Sequence, residues 1–485
     1  MAALLACVAV AVASLALPFE PAFDPWAWLV WGREVWGLDL DTSSGPSWKP
    51  LPVAIGMLLV PFGDAAPELW LVVARASFLA SLVLAWRLAG RLGDGRAAGT
   101  AAGVVAAGGL VLLEDPITPW LRQWGAGLSE PILVALCLLA IDRALADRHR
   151  EALAAGAGAA LLRPEAWPFL AVYALWVGSR DPTARRGLAL GAALVGAAWF
   201  VPDLLGAGDA LEGAERARES SEGGLAAAGA AVARGLELPA APLWGLAGLF
   251  AVVAARRSER LPLVLLGGAL AWVGLVAAMA ASGYAGLPRF MSPAAAVVCV
   301  LGGAGAGELA GWARGGWKAG SRGWRLRTAL AGVALAGVLV AFAVPRAAEL
   351  EDDYMRSRTI GDRTADLRAV AGAAGRPEPG CGPVLYEDPL AHTAIAWELD
   401  LPLTGARFAP LPTPEAGLAI AVSGGRWRAS TEAALGAAVA QRGAWTAYRP
   451  CRPGPASQVS APSSTGSGRS TAGDRAAAGV SGAFR

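Results

Sequence analysis

The sequence predicts an all-α polytopic membrane protein with a small C-terminal α/β domain. Three observations predict it. Apolar residues make up 55% of the 485 positions and charged residues only 16%, where a soluble chain carries nearer a quarter charged. About eleven apolar stretches follow one another, many close to the roughly 20 residues that cross a bilayer. Lys and Arg crowd into alternate loops, while the other loops hold most of the carboxylates, as the positive-inside rule requires. The net charge of +2 provides no global field for nucleic acid.

The first apolar stretch covers residues 2–17. Ala11-Val12-Ala13 has the small residues of a signal-peptide cleavage site, but no basic residue precedes the stretch, which favours an uncleaved first helix. Residues 51–62 decide the topology. They are bracketed by Pro50, Pro52 and Pro61 and are too short to span, so they form an interfacial or re-entrant element. The remaining spans are expected at 67–89, 97–113, 128–145, 152–162, 166–178, 187–205, 241–254, 261–281, 291–311 and 328–344. With the N-terminus cytoplasmic, the inner loops hold Arg87/Arg91/Arg96, Arg143/Arg148/Arg150, Arg180/Arg185/Arg186, Arg256/Arg257/Arg260 and the basic run from Arg314 to Arg327. Counting 51–62 as a span would invert everything after it and violate the rule.

The outer segments are then 18–50, 114–127, 206–238, 282–289 and the C-terminal region. Residues 1–345 form the membrane domain, 346–452 a small extracytoplasmic domain, and 453–485 a tail. In the second domain, 346–375 reads as an amphipathic helix, and 384–386, 399–403, 418–422 and 445–448 read as short strands separated by helical segments. The tail is rich in Ser, Gly, Ala and Thr without periodicity, the composition of a disordered segment. Cys7, Cys137 and Cys299 lie in apolar stretches as small buried hydrophobes. Cys381 and Cys451 flank the C-terminal region and could pair if it faces an oxidising compartment. The only two histidines, His149 and His392, build neither a histidine zinc site nor a Ser-His-Asp triad. Gly424-Gly425 is a turn without phosphate-loop context.

The outer segment 18–50 carries the most chemistry. Asp24 precedes Pro25, which suits a helix N-cap with proline at the first helical position; a carboxylate at the membrane surface also suits a general base. Trp26, Trp28, Trp31 and Trp36 suit a helix lying in the interface. Lys49-Pro50 follows. Arg75 sits about eight residues into its span, roughly 12 Å deep at 1.5 Å per residue. An arginine there is a functional candidate, with pairing to Glu68 as the structural alternative.

Further on, Ser129-Glu130-Pro131 opens a span, Leu162-Arg163-Pro164-Glu165 ends a short one, and Pro288-Arg289-Phe290-Met291-Ser292-Pro293 opens a late helix. An Asp after the first span, an interfacial helix, a Lys-Pro element and a span with an early Arg, followed by these three motifs in this order, resembles the membrane-embedded GT-C glycosyltransferases. The similar subset comprises protein O-mannosyltransferases and lipid A aminoarabinose transferases, and the resemblance covers residues 1–344. It implies a plasma-membrane enzyme that moves a sugar, with inversion, from a polyprenyl-phosphate donor to a lipid, glycan or protein acceptor on the outer face. Asp24 would be the general base. Lys49, Arg75, Arg163 and Arg289 would hold the departing phosphate, with Arg122 a further outer-face cation. Glu114, Asp115 and Glu165 would contact acceptor or sugar. Glu165 has pairing with Arg163 as its simplest alternative, and the 114–115 pair has a solvated loop. No cofactor is implied with certainty; a divalent cation held by Asp24 with Glu114 and Asp115 is left open. Members of the family often carry an acidic pair after the first span, where this chain has Asp24-Pro25, so Glu20, Glu34, Asp39 and Asp41 stand as alternative bases. Two rival functions remain. A transporter or flippase of lipid-linked sugars would show repeats and midplane carboxylates, and neither is seen. In a non-catalytic envelope-assembly scaffold, the outer-face Asp and Arg residues would be dispensable.

Overall fold

The computed structural model describes residues 2–93, 96–117, 119–218, 223–319, 322–378, 381–410, 416–425, 427 and 435–451. The tail read as disordered lies outside the described residues. The chain divides into two compact units, Met1–Thr42 with Pro46–Gly361, and Ser43–Gly45 with Asp362–Arg485.

The first unit is helical. By length and composition, Pro50–Leu92, Pro182–Gly206, Arg260–Ala281, Pro288–Arg314 and Arg325–Ala374 suffice to cross a membrane. A sixth arises if Leu225–Glu237 and Ala241–Arg256, bent by 84°, act as one. Shorter apolar helices such as Glu130–Ala144, His149–Ala160 and Trp167–Arg180 fill the remaining predicted positions. The fold is that of a multi-pass helical membrane protein with a small α/β domain.

Its centre is the helix Ser292–Ala319, packed against Arg96–Val111, Ala241–Arg256 and Ala66–Leu92. Small residues permit the approach: a Cβ on Gly303 would lie 2.4 Å from the Ala102 carbonyl oxygen, and one on Gly305 would lie 2.2 Å from that of Leu246. With no water to expel between helices in lipid, such backbone-to-backbone packing supplies much of the association energy. Pro182–Gly206, by contrast, is almost wholly exposed on the flank.

Four local expectations meet a different or sharper outcome. Residues 51–62 form the short helix Pro50–Leu59 and a 3₁₀ turn Val60–Ala65, set off from Ala66–Leu92 by Gly63 at φ 55°. In the tryptophan helix Phe23–Gly37, Trp26, Trp28 and Trp31 are buried in protein and only Trp36 is exposed. Gly32 lets this helix press on Pro50–Leu59, since a Cβ there would sit 2.7 Å from the Gly56 carbonyl carbon. Part of the hydrophilic stretch 206–238 is the helix Leu225–Glu237, built from Ala and Leu, which favour helix wherever Gly is sparse. Finally, 328–344 and 346–375 are one helix, Arg322–Ala374, running through Pro345. A proline removes a single backbone donor, and the Ala-, Leu- and Arg-rich flanks carry the helix past it.

The second unit holds a mixed sheet of β1 (Val384–Tyr386), β2 (Ala406–Phe408), β3 (Leu418–Val422), β4 (Ala438–Arg442) and β5 (Trp445–Tyr448), in the order β2-β1-β3-β5-β4. β1 runs parallel to β2 and β3; β5 is antiparallel to β3 and β4. Residues 399–403 are not a strand. They follow the helix His392–Glu398, Asp400 adopts φ 51°, and Leu403–Gly405 is a 3₁₀ turn. Leu399 and Leu403 are buried, so their strand-like alternation reflects a packed turn. Cys381 and Cys451 form a disulfide. His392 is buried, stacked on Tyr386 at 5.1 Å between ring centroids, with Nε2 2.8 Å from the Leu403 carbonyl oxygen. Burial lowers its pKa, as for a core histidine held neutral.

Candidate active site

A cluster of charged side chains forms in the first unit where four charged–proline steps and one proline–arginine step converge. The residue before a proline is driven to extended backbone, and proline suits the first turn of a helix. Lys49, before Pro50, is extended at φ −139° and caps Pro50–Leu59. Arg163, before Pro164, is extended at φ −147° and opens the 3₁₀ turn Pro164–Ala166. Glu130 precedes Pro131 at the start of Glu130–Ala144. Arg289 follows Pro288 in the 3₁₀ turn Pro288–Met291, where its carbonyl accepts from Ser292 Oγ at 2.7 Å. A hydrogen bond from Leu51 N to the Leu161 carbonyl, 3.1 Å, ties the Lys49 segment to the Arg163 segment.

Asp24 lies in the first turn of Phe23–Gly37, whose N-cap is Ala22 and has no side-chain cap. The N-cap expectation is therefore corrected. The helix starts one residue before Asp24, because Pro25 needs no backbone acceptor so early in a helix. The Asp24 carboxylate instead faces Lys49, with Oδ2 3.5 Å from Nζ. The side chains are 22% and 12% exposed, leaving the pair reachable but largely desolvated. Lys49 Nζ lies 5.0 Å from the centroid of the Trp28 ring, within cation–π range. Burial lowers the Lys49 pKa, and Asp24 opposes that shift.

Glu130 is the hub. It is 2% exposed, with Oε1 2.6 Å from Arg163 Nη2 and 3.6 Å from Arg289 Nε. Arg163 also lies 3.6 Å from Glu165 and 3.6 Å over the Phe290 ring. Lys49, Arg163 and Arg289 thus share three carboxylates, Asp24, Glu130 and Glu165. Among the described residues Arg163 Nε and Glu165 Oε2, both buried, have no hydrogen-bond partner. Burial and the charge of Arg289 both lower the pKa of Arg122, in the short helix Trp120–Gly125. Unsatisfied buried polar atoms among clustered cations suit an anionic ligand with hydroxyl groups.

Three candidate residues make contacts elsewhere. Arg75 is fully buried and donates to the carbonyl of Ser14 at 2.7 Å and to that of Gly125 at 2.9 and 3.3 Å. It also meets Ser14 Oγ at 3.2 Å, and it thereby ties three segments together. Glu114 pairs with Arg346 at 2.9 Å. Asp115 accepts from Ile117 N at 2.9 Å and from Gln123 at 3.2 Å, the geometry of a loop-closing Asx turn. A cation shared by Asp24, Glu114 and Asp115 does not fit these partners; among the described residues no group of three or more His, Cys, Asp or Glu is placed to hold a metal ion. Of the alternative bases, Glu34 is buried and accepts from Asp41 N at 3.1 Å, and Glu20 acts on Arg75. Glu130 and Phe290 complete the site beyond the candidate residues. The signal for Glu130 lay in its position, a carboxylate directly before a proline at the mouth of an apolar stretch.

Helical spans and a small mixed sheet make this a multi-pass helical membrane fold with a small α/β domain. It is similar to ArnT from Cupriavidus metallidurans bound to undecaprenyl phosphate, with a TM-score of 0.51 and 15% identity over 92% of this chain and 98% of that one. The apo state of ArnT matches with the same TM-score and identity, over 92% and 96%. At that identity the likeness concerns the fold. No protein-family model matches the chain, and no curated protein does.

Proposed function

We propose that the protein is an inverting membrane glycosyltransferase that takes a sugar from a polyprenyl-phosphate donor and passes it to an acceptor hydroxyl on the outer face. The observation that carries this is the convergence of Lys49, Arg163 and Arg289 around Glu130, beside Asp24. A fold shared with a protein that binds undecaprenyl phosphate supports the choice of donor.

The chemistry follows from the charges. The acceptor oxygen attacks the anomeric carbon, and its proton passes to the Asp24 carboxylate. The bond from that carbon to the phosphate oxygen breaks, and the electron pair leaves with the lipid phosphate. The phosphate gains a negative charge as the bond breaks, so cations fixed beside it favour the transition state over the ground state. Lys49, Arg163 and Arg289 serve that role, Glu130 holds the two arginines in place, and Glu165 accepts a sugar hydroxyl at its open Oε2. The acceptor is a lipid, a glycan or a protein.

The test is binding of undecaprenyl phosphate to the purified full-length protein, compared with Lys49→Gln, Arg163→Gln and Arg289→Gln. Each loss of a charge-assisted contact is expected to weaken binding by about tenfold or more. Unchanged affinity in all three folded variants would remove the cluster from donor recognition.

A further inference from the structure

A second recess lies away from this cluster. The helices His149–Ala160, Trp167–Arg180 and Arg185–Gly206 enclose a groove of 1110 Å³. Its two ends differ in chemistry. Toward Ala160 and Trp167 the walls are apolar, from Leu153, Ala157, Leu170 and Val195. The Trp167 indole donates to the Ala160 carbonyl at 3.0 Å and closes that end. The other end carries His149, Arg150 and Arg180, a loop pair that the charge bias places on the cytoplasmic side. A helix of 12 residues is roughly 18 Å long, slightly more than one leaflet's half of a roughly 30 Å hydrocarbon core.

The polar end is an ordered platform. Arg180 lies 4.0 Å over the Trp176 ring, Trp176 stacks on Tyr173 at 5.6 Å, and the Tyr173 hydroxyl is 2.8 Å from His149 Nδ1. Of the carboxylates there, Glu151 pairs with Arg148 and Arg143, Asp181 accepts from its own turn at Thr183, and Asp147 stays exposed in the field of Tyr173. Arg150 lies in the field of Asp181. Arg180 makes no ion pair among the described residues. Farther in, Gly187, Gly191 and Gly196 line the groove, and a Cβ at any of them would meet nothing within 4 Å. The helix that carries them is exposed along its length.

We infer that this groove binds one acyl chain of an anionic glycerophospholipid of the inner leaflet, with the lipid phosphate over Arg180 and Arg150. An apolar slot one leaflet deep takes the chain. The basic, aromatic rim takes a negative headgroup, as juxtamembrane arginines do at an anionic bilayer surface. The donor phosphate of the proposed reaction belongs at the opposite end of these helices, beside Arg163 and Glu165. The inference rests on topology and geometry and is independent of the proposed activity.

Native mass spectrometry of the full-length protein in detergent tests it, with phosphatidylglycerol, phosphatidylcholine and undecaprenyl phosphate as probes. Phosphatidylglycerol is expected to bind about tenfold more tightly than phosphatidylcholine. The preference should vanish in Arg150→Gln/Arg180→Gln, whose side chains are exposed. Gly191→Trp, which fills open space, should abolish retention of both phospholipids, and millimolar inorganic phosphate should displace neither. Equal binding of the two phospholipids to wild type would overturn the inference, as would a preference unchanged in the double variant. Displacement of phosphatidylglycerol by undecaprenyl phosphate, with Gly191→Trp blocking both, would assign the groove to a polyprenyl tail instead.

Discussion

Glu130→Gln is the most informative single change, because it removes one charge from between two arginines while keeping the shape. Glu130 is 2% exposed and the Arg163 side chain 9%, with 2.6 Å between Oε1 and Nη2; Arg289 stands at 3.6 Å. A pair of unit charges about 4 Å apart is worth about 4 kcal/mol at an effective dielectric of roughly 20. Glutamine retains an acceptor for one arginine N–H, worth about 1 kcal/mol. The expected loss is about 3 kcal/mol, at the lower end of the roughly 3–5 kcal/mol for breaking a buried pair from one side. Unfolding of the purified protein in detergent, followed by tryptophan fluorescence, reads it. Combining Glu130→Gln with Arg163→Gln leaves one fewer orphan charge, so about 2 kcal/mol of the summed single losses should return as coupling. A loss below about 0.5 kcal/mol, with additive behaviour in the double variant, would refute the hub role.

Three further predictions follow from neighbouring geometry. Arg75→Gln removes charged hydrogen bonds to the Ser14 and Gly125 carbonyls and should cost about 2–4 kcal/mol of stability. Transfer per folded molecule should survive it, whereas a phosphate-binding arginine would show the loss in the folded fraction. Gly32→Ala should destabilise by about 1–3 kcal/mol through overpacking, because its Cβ meets the Gly56 backbone. In the open space at Gly196 the same change should stabilise the helix by about 0.5–1 kcal/mol. Lys49 has a pKa lowered below its ordinary 10.5 by burial. Its charge is therefore present below that lowered value and lost as pH rises through it. Donor affinity should fall along an alkaline limb that begins below 10.5, and Lys49→Arg should move that limb upward.

Much of the helical unit was legible because lipid imposes one simple demand, long apolar segments. The prolines made Lys49, Arg163 and Arg289 legible as well, since a charge beside proline at a helix start is set in backbone geometry before any tertiary contact. Arg75 shows the limit of that logic. Its depth marked it as consequential, but only the fold reveals that the backbone carbonyls of Ser14 and Gly125, 61 and 50 positions away, satisfy it. Glu114 and Asp115 are adjacent in sequence, yet one answers Arg346 and the other closes its own loop, contacts that adjacency does not foretell. That Trp26, Trp28 and Trp31 are buried against protein was not legible, because their amphipathic rings suit a membrane interface and a protein core equally. In the second unit the two strands that escaped notice, β2 and β4, are three residues long or mostly exposed, so neither carries the alternation that marks a half-buried strand.

The central claim is sugar transfer with Asp24 as the base. Its most direct test is transfer of radiolabelled sugar from a panel of polyprenyl-phosphate donors by the purified full-length protein, beside Asp24→Asn and Asp24→Ala. Losing a positioned general base costs about 10²–10⁴-fold in rate. Wild-type transfer is therefore expected to collapse in both variants while undecaprenyl phosphate still binds. Variants that retain the wild-type rate would contradict the assignment of the base, and a wild type that turns over no donor would contradict the function itself.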